Sequence, residues 1–364
     1  MRPSAVEAML PFFSERFANP SGSHRFARDA RRAIDEARDQ VAALLGVRPG
    51  EVVFTGCGTE ADNAAIAGVG GASVCSAAEH HAVLQPVEES GGAVVGVDAT
   101  GHIDLDQLEQ ALTADTRIVS VMAVNNEVGT ITDLLSVSKI VRRHAPTAVL
   151  HTDAVQAACW LDIRSIAPLV DMMSFSAHKF GGPKGVGVLT IRDGVKFAPL
   201  IRGGGQERER RSGTHNVAGI VALATALAEV DAEREHENVR LVALRDRLID
   251  DLMANVEGVV ETIPRDRKIS GSAHVCIEGI ESESLLFLLD EAELCASAAS
   301  ACASGAMEPS HVLAAMGVDR SLAGGALRMS LGATTTGADI DRAIDVVADS
   351  VRRLRRATVG ETVK

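Results

Sequence analysis

Glu51-Val52-Val53-Phe54-Thr55-Gly56-Cys57-Gly58-Thr59 reads as a short β-branched and aromatic strand that runs straight into a glycine-rich turn. Helix-compatible residues follow to about Gly68, so the stretch has the form strand, tight turn, helix. The alternation continues outward from there. Toward the C-terminus, β-branched runs recur at 73–76, 93–97, 117–122, 147–151, 170–175 and 186–191, mostly separated by helix-compatible segments. Strands that alternate with helices predict an α/β fold with a largely parallel sheet covered on both faces. Toward the N-terminus, Ser4 to Phe17 and Arg25 to Leu45 carry apolar residues at helical spacing, split by the turn formers Asn19-Pro20-Ser21-Gly22-Ser23.

After Thr214 the pattern changes. Val217 to Val256 is a long stretch rich in Ala, Leu and charge, read as one or two helices that leave a large domain. Beyond it, short strands near 258–262, 273–278, 293–297 and 326–330 interleave with helices near 282–290, 309–316 and 338–356, which predicts a smaller α+β domain. A length of 364 residues suits two domains.

Composition narrows the function classes. The 36 basic and 49 acidic residues give a net charge of −13, which opposes direct binding to nucleic acid or to an anionic membrane. No run of 18 apolar residues and no signal-peptide pattern are present, so neither a membrane span nor secretion is expected. The six cysteines form no C-x-x-C pair and are few for the length, which speaks against a zinc ribbon or a disulfide framework and for a reducing cytoplasm. There is no tyrosine, so no step can use one.

Three segments carry potential chemistry. In Ser174-Phe175-Ser176-Ala177-His178-Lys179-Phe180-Gly181-Gly182-Pro183-Lys184-Gly185, the strand Val170 to Phe175 delivers Lys179 among hydroxyl, Gly and Pro positions. An amine held there at a sheet edge can form a Schiff base with a carbonyl cofactor, although a lysine after a strand is commonly a solvated charge. In His151-Thr152-Asp153-Ala154-Val155-Gln156, Asp153 follows the strand Thr147 to Leu150. It either caps the next helix or keeps a pyridine nitrogen protonated. Gly58-Thr59 opens a helix, where free amides and the helix dipole favour a phosphate, or it is turn geometry alone.

Together these segments resemble the class V aminotransferase group of pyridoxal-phosphate enzymes, and within it the cysteine desulfurases of iron-sulfur cluster and thio-cofactor assembly. The resemblance runs from about Pro3 to Arg353. Its further motifs are Ala78-Glu79-His80-His81-Ala82-Val83, Val124-Asn125-Asn126-Glu127-Val128-Gly129, and Gly203-Gly204-Gly205-Gln206-Glu207-Arg208 through Arg211-Ser212-Gly213-Thr214. It implies pyridoxal-phosphate fold type I, with a mainly parallel seven-stranded sheet in a large domain at 14–250. A small α+β domain made of 1–13 and 251–364 would carry the catalytic cysteine loop.

By resemblance, Lys179 binds the cofactor aldehyde, Asp153 partners the pyridine nitrogen, and His80 stacks on the ring and moves protons. Asn126 and Gln156 hold the phenolic-oxygen side, while Gly58, Thr59, Ser176 and His178 contact the phosphate. Thr214 matches a residue that reaches the neighbouring subunit's phosphate, which implies a homodimer. Arg328, in Leu327-Arg328-Met329-Ser330-Leu331-Gly332, matches the arginine that binds the substrate carboxylate, with Asn126 also on the substrate side. Cys302, in Ser300-Ala301-Cys302-Ala303-Ser304-Gly305-Ala306-Met307-Glu308-Pro309-Ser310, matches the cysteine that takes sulfur from L-cysteine as a persulfide. The small residues around it resemble the desulfurase type with a long mobile loop. The sulfur acceptor would be a cluster scaffold or a thiolation enzyme, with L-alanine as the second product.

Cys75, Cys159, Cys276 and Cys295 read as core or near-core residues. Cys57, in the phosphate turn, reads as a tolerated small side chain or a redox-sensitive spot, and His24, His81, His215 and His311 as solvated or capping residues. Members of the group usually begin with a strand of aspartate, a variable residue, two alanines, two threonines and a proline. Arg2-Pro3-Ser4-Ala5-Val6-Glu7 resembles the sequence just after it, which implies either an upstream start or a pocket that another segment or a partner completes. A selenocysteine lyase, another class V aminotransferase and a non-catalytic sulfur-assembly subunit are the competing readings.

Overall fold

The computed structural model of the chain describes residues 1–298 and 310–361, and Cys302 lies outside them. It divides into two compact units: Met1–Val95, Asp104–Val124 and Thr132–Arg234 form the first, and Gly96–Ile103, Asn125–Ile131 and Glu235–Lys364 the second.

The first unit is built on a seven-stranded sheet: β1 Val52–Thr55, β2 Ala72–Ser76, β3 Ala93–Val95, β4 Thr116–Ser120, β5 Val149–Asp153, β6 Met172–Ser176 and β7 Gly187–Ile191. Their order is β1-β7-β6-β5-β4-β2-β3. All neighbouring pairs are parallel except the two that β7 makes, with β1 and with β6. Every residue of β1, β6 and β7 is buried, as expected of strands covered on both faces. With few aromatics available, aliphatic and sulfur side chains fill the layer. Val53, Met172, Leu189 and Ile191 pack against Ala61, Ala64 and Ala65 of the helix Gly58–Val69. That helix is nearly all Ala, Gly and Ile on its sheet side, so its backbone lies close to the strands and its N-terminus comes up against β6.

The second unit holds a three-stranded antiparallel sheet, β8 Val259–Glu261, β9 Ser272–Ile277 and β10 Ala326–Ser330, in the order β10-β9-β8. Its longest helix after β10 is Gly337–Glu361.

These units are cut differently from the domains expected from the sequence. The division falls between Arg234 and Glu235, within the single 39-residue helix Val217–Asn255, rather than near 250. Residues 1–13 group with the first unit because the Arg2 amide donates to the Gly181 carbonyl at 2.8 Å and its guanidinium pairs with Glu229 and Glu233. Phe12 also packs on Ala33 and Ala218. The strand expected at 293–297 is absent. Glu293 takes a left-handed φ of 57° as the helix Ser282–Glu291 ends, and only Ser297 bridges to Arg328. Cys295 is accordingly exposed rather than near the core. Among the described residues, no helix is long and apolar enough to cross a membrane.

Candidate active site

The C-terminal ends of β5 and β6 lie side by side, with Asp153 in register with Ser174. Asp153 is 4% exposed, and its Oδ1 accepts from the Val155 amide at 2.8 Å. Burial pushes its carboxyl up to about 6, while the Val155 amide and the positive charge of Lys179 pull the other way. Lys179 follows β6 in the short turn Ala177–Phe180 and is exposed. Ser176, the last residue of β6, meets Nδ1 of His178 through its Oγ at 2.9 Å. Burial and the neighbouring charges of Lys179 and Lys184 lower the His178 pKa, favouring a neutral ring.

The turn after β1 closes on the same strand ends. A Cβ placed on Gly58 would lie 2.7 Å from Cγ2 of Val155 and 3.2 Å from Cβ of Ser176, so only glycine brings this helix N-terminus so near β6. Cys57 is the N-cap, its Sγ accepting from the Glu60 amide at 3.4 Å. Thr59 is exposed at the turn and Gln156 half-buried after β5. His80 caps the helix His81–Glu89, with Nδ1 accepting from the Ala82 amide at 3.1 Å. A neutral His80 ring therefore carries its proton on Nε2.

In the second unit, Arg328 sits on β10 opposite His274 of β9 and donates from its guanidinium to the Asn126 carbonyl at 2.8 Å. Burial works against the Arg328 charge and Glu127 supports it. His274 is held neutral, its pKa pulled down to about 3 by burial and by the charges of Arg328 and Lys268. Ser310 caps the helix His311–Ala315 and donates to Glu127.

Sequence reasoning missed a buried polar cluster beneath Asp153. His151 is fully buried, and its two ring nitrogens meet Ser120 Oγ at 2.8 Å and Ser174 Oγ at 2.9 Å. Asp62 lies beside it, 3.7 Å from His151 Nε2. Glu79 Oε1 accepts from the Met122 amide at 2.7 Å. Burial and the mutual repulsion of these carboxyls raise Asp62 and Glu79 well above the ordinary carboxylate range. His215 also differs from its expectation: it pairs with Glu207 at 2.7 Å with its side chain 9% exposed, instead of standing in solvent. Cys159 is half-buried, its Sγ 3.6 Å from the Lys179 carbonyl.

A mainly parallel seven-stranded sheet, with a lysine and a buried carboxyl at adjacent strand ends above a glycine-bound helix N-terminus, defines the fold type I class of pyridoxal-phosphate enzymes. The class-V aminotransferase family model matches residues 1–343. The cysteine desulfurase IscS of Dictyoglomus turgidum is 41% identical over 98% of this chain and 93% of its own. A solved NifS-like protein is 36% identical with a TM-score of 0.90, covering 97% of this chain and 96% of its own. SspA, solved in complex with cysteine, is 32% identical with a TM-score of 0.77 over 91% and 95% of the two chains. The chain belongs to the cysteine desulfurases of the class-V aminotransferase family, enzymes that depend on pyridoxal phosphate.

Proposed function

We propose that this chain converts L-cysteine to L-alanine with pyridoxal 5′-phosphate as cofactor, and that Cys302 takes the sulfur as a persulfide for delivery to an acceptor protein. The observation that carries the reading is that Lys179, in the turn that follows β6, acts electrostatically on the buried Asp153 at the end of the neighbouring strand β5. The residues fit the cofactor on two counts. Asp153 is a desolvated carboxyl that a protonated ring nitrogen would satisfy, and Gly58, where a Cβ would meet Val155 and Ser176, lets the helix N-terminus with its amides come up beside the end of β6 where a phosphate would be held.

When bound, pyridoxal phosphate supplies an aldehyde that condenses with amines and a ring that accepts the electrons left when a Cα proton departs. Lys179 holds the aldehyde end and, once displaced by substrate, is a base at its Nζ. Asp153, whose Oδ1 takes the Val155 amide, would keep the pyridine nitrogen protonated. His80 would hold the ring face and move a proton at Nε2, because the Ala82 amide occupies Nδ1. Gly58, Thr59, Ser176 and His178 take the phosphate, and Asn126 and Gln156 the phenolic-oxygen side. Arg328 binds the substrate carboxylate through a guanidinium that the Asn126 carbonyl orients.

In the overall reaction the Cβ–S bond of L-cysteine breaks and a sulfur–sulfur bond forms on the Cys302 thiolate. The carbon skeleton gains a proton at Cβ, giving L-alanine. A homodimer in which Thr214 reaches the neighbour's phosphate is part of this reading, as is a cytoplasmic setting that keeps thiols reduced. The acceptor is a cluster scaffold or a thiolation enzyme.

The test is incubation of the cofactor-loaded protein with L-cysteine and a reductant. Alanine and sulfide should appear in equal amounts. A loaded protein that yields neither, or that releases alanine from cysteine sulfinate or selenocysteine alone, would overturn the assignment in favour of a different class V activity.

A further inference from the structure

The helix N-terminus that the proposed function gives to phosphate already contains an anion. Glu60, in the first turn of the helix Gly58–Val69, bends back so that its Oε2 accepts from the Gly56 amide at 2.7 Å. A Cβ at position 56 would lie 2.7 Å from Glu60 Oε2, so the carboxylate sits directly against this glycine. It also creates a conflict. A carboxylate and a phosphate dianion would share one patch of positive helix-dipole potential, and like charges at that range repel.

Arg211 removes the conflict. Its Nε donates to Glu60 Oε1 at 2.8 Å and its second guanidinium nitrogen to Glu60 Oε2 at 3.2 Å, a two-pronged pair with side chains only 24% and 15% exposed. Arg211 belongs to a tied segment that runs from Gly203 to Thr214. The Ser212 amide donates to the Ile201 carbonyl at 3.0 Å, and the Gly213 amide to Gln206 Oε1 at 2.9 Å. Within the segment, Glu207, Arg208 and Glu209 hold three consecutive left-handed conformations, with φ of 49°, 56° and 66°. Such strain persists only where surroundings over-determine it. Here the buried Glu207 carboxylate is gripped by both guanidinium nitrogens of Arg38 at 2.6–2.8 Å and by the Phe54 amide at 2.9 Å. The guanidinium of Arg211 is thus presented by a rigid support.

We infer that Arg211 is a positioning residue for the phosphate turn: it neutralises Glu60, so that the carboxylate can brace Gly56 without repelling the cofactor phosphate. The inference rests on the cofactor reading above. It adds that the Glu60–Arg211 pair ties the chain's own phosphate turn to the segment ending at Thr214, so one ion pair serves both.

The experiment is titration of the cofactor-free protein with pyridoxal 5′-phosphate and, separately, with pyridoxal, followed by absorbance and by thermal melts. The four proteins are wild type, Arg211→Gln, Glu60→Gln and the double variant. Arg211→Gln should bind pyridoxal phosphate about tenfold more weakly, as one uncompensated charge beside an anion dictates, with pyridoxal affinity unchanged. Glu60→Gln should bind at least as tightly as wild type, because glutamine still accepts from Gly56. The double variant should recover most of the loss. If it stays as weak as Arg211→Gln, the arginine only shapes the loop and the inference fails, and wild-type affinity in Arg211→Gln overturns it equally. A wild type that takes pyridoxal phosphate no more tightly than pyridoxal would instead sink the phosphate-turn reading itself, and the inference with it.

Discussion

Replacing Asp153 by Asn should stabilise the cofactor-free protein while impairing its use of the cofactor. In the folded state burial lifts the Asp153 carboxyl to about 6, above the ordinary aspartate value of 3.8. Between roughly pH 4 and pH 6 the folded chain therefore holds a proton that the unfolded chain has released. Stability falls as pH rises through that window and stays lower above it. A shift of about two pKa units corresponds to about 3 kcal/mol. Asparagine keeps the Val155 hydrogen bond through its own oxygen and never ionises. The variant should therefore be about 3 kcal/mol more stable than wild type at pH 8, with the gain shrinking toward zero as pH approaches 4. Loss of the Asp153 charge also relieves Asp62 and Glu79, which acts in the same direction. Urea unfolding of both cofactor-free proteins at pH 4.5, 6 and 8 measures the difference, and melting temperatures at pH 8 should rise by a few degrees. The reasoning is refuted if Asp153→Asn is no more stable at pH 8, or if its gain is the same at all three pH values.

Gly58→Ala forces a methyl to within 2.7 Å of Val155 and should cost about 1–3 kcal/mol of stability together with most of the cofactor affinity, both read from one titration and melt. Arg328→Lys keeps the charge but loses the planar fork. The KM for L-cysteine should rise roughly ten- to a hundredfold in steady-state assays with cofactor absorbance unchanged, and an unaltered KM would remove Arg328 from the substrate carboxylate. Cys302→Ala should retain the cofactor absorbance yet give no persulfide, alanine or sulfide from L-cysteine, and continued desulfuration would assign the sulfur to another thiol.

Much of the fold is legible because short apolar runs between glycine and proline turns leave few alternatives. The run at 186–191 becomes β7 and the run at 326–330 becomes β10 almost residue for residue. Strand direction is another matter. β7 is antiparallel to both neighbours, yet it reads the same as β6, since burial on two faces erases any alternation. The failed strand at 293–297 has a local cause, the left-handed Glu293, that no periodicity reveals. The site residues were legible as ordered motifs, but their long-range partners were not. Glu60 and Arg211 are separated by 151 positions, and Arg38 and Glu207 by 169. Asp62 did leave a trace. A helix of alanine, glycine and isoleucine with only Glu60, Asp62 and Asn63 as strongly polar residues has little solvent face, so one of those carboxyls had to be buried.

That buried Asp62 bears on which carboxyl carries charge. Asp62, Glu79 and Asp153 lie in one water-poor layer where the charge of Asp153 raises the proton affinity of Asp62 and Glu79, and His151, kept neutral by burial and bonded to two serines, supplies no positive charge. The three cannot all ionise together, so they titrate as a set. Burial pushes all of them up, but unequally. Asp153 is pulled back by a nearby ammonium, that of Lys179, and by the Val155 amide, whereas the Ser174 hydroxyl lowers Asp62 and the Met122 amide lowers Glu79. The first proton to leave the set therefore leaves Asp153, at the open end of β5. Two neutral acids behind it keep one negative charge at the position where a cationic ring nitrogen would meet it, without adding a second charge that the interior could not solvate.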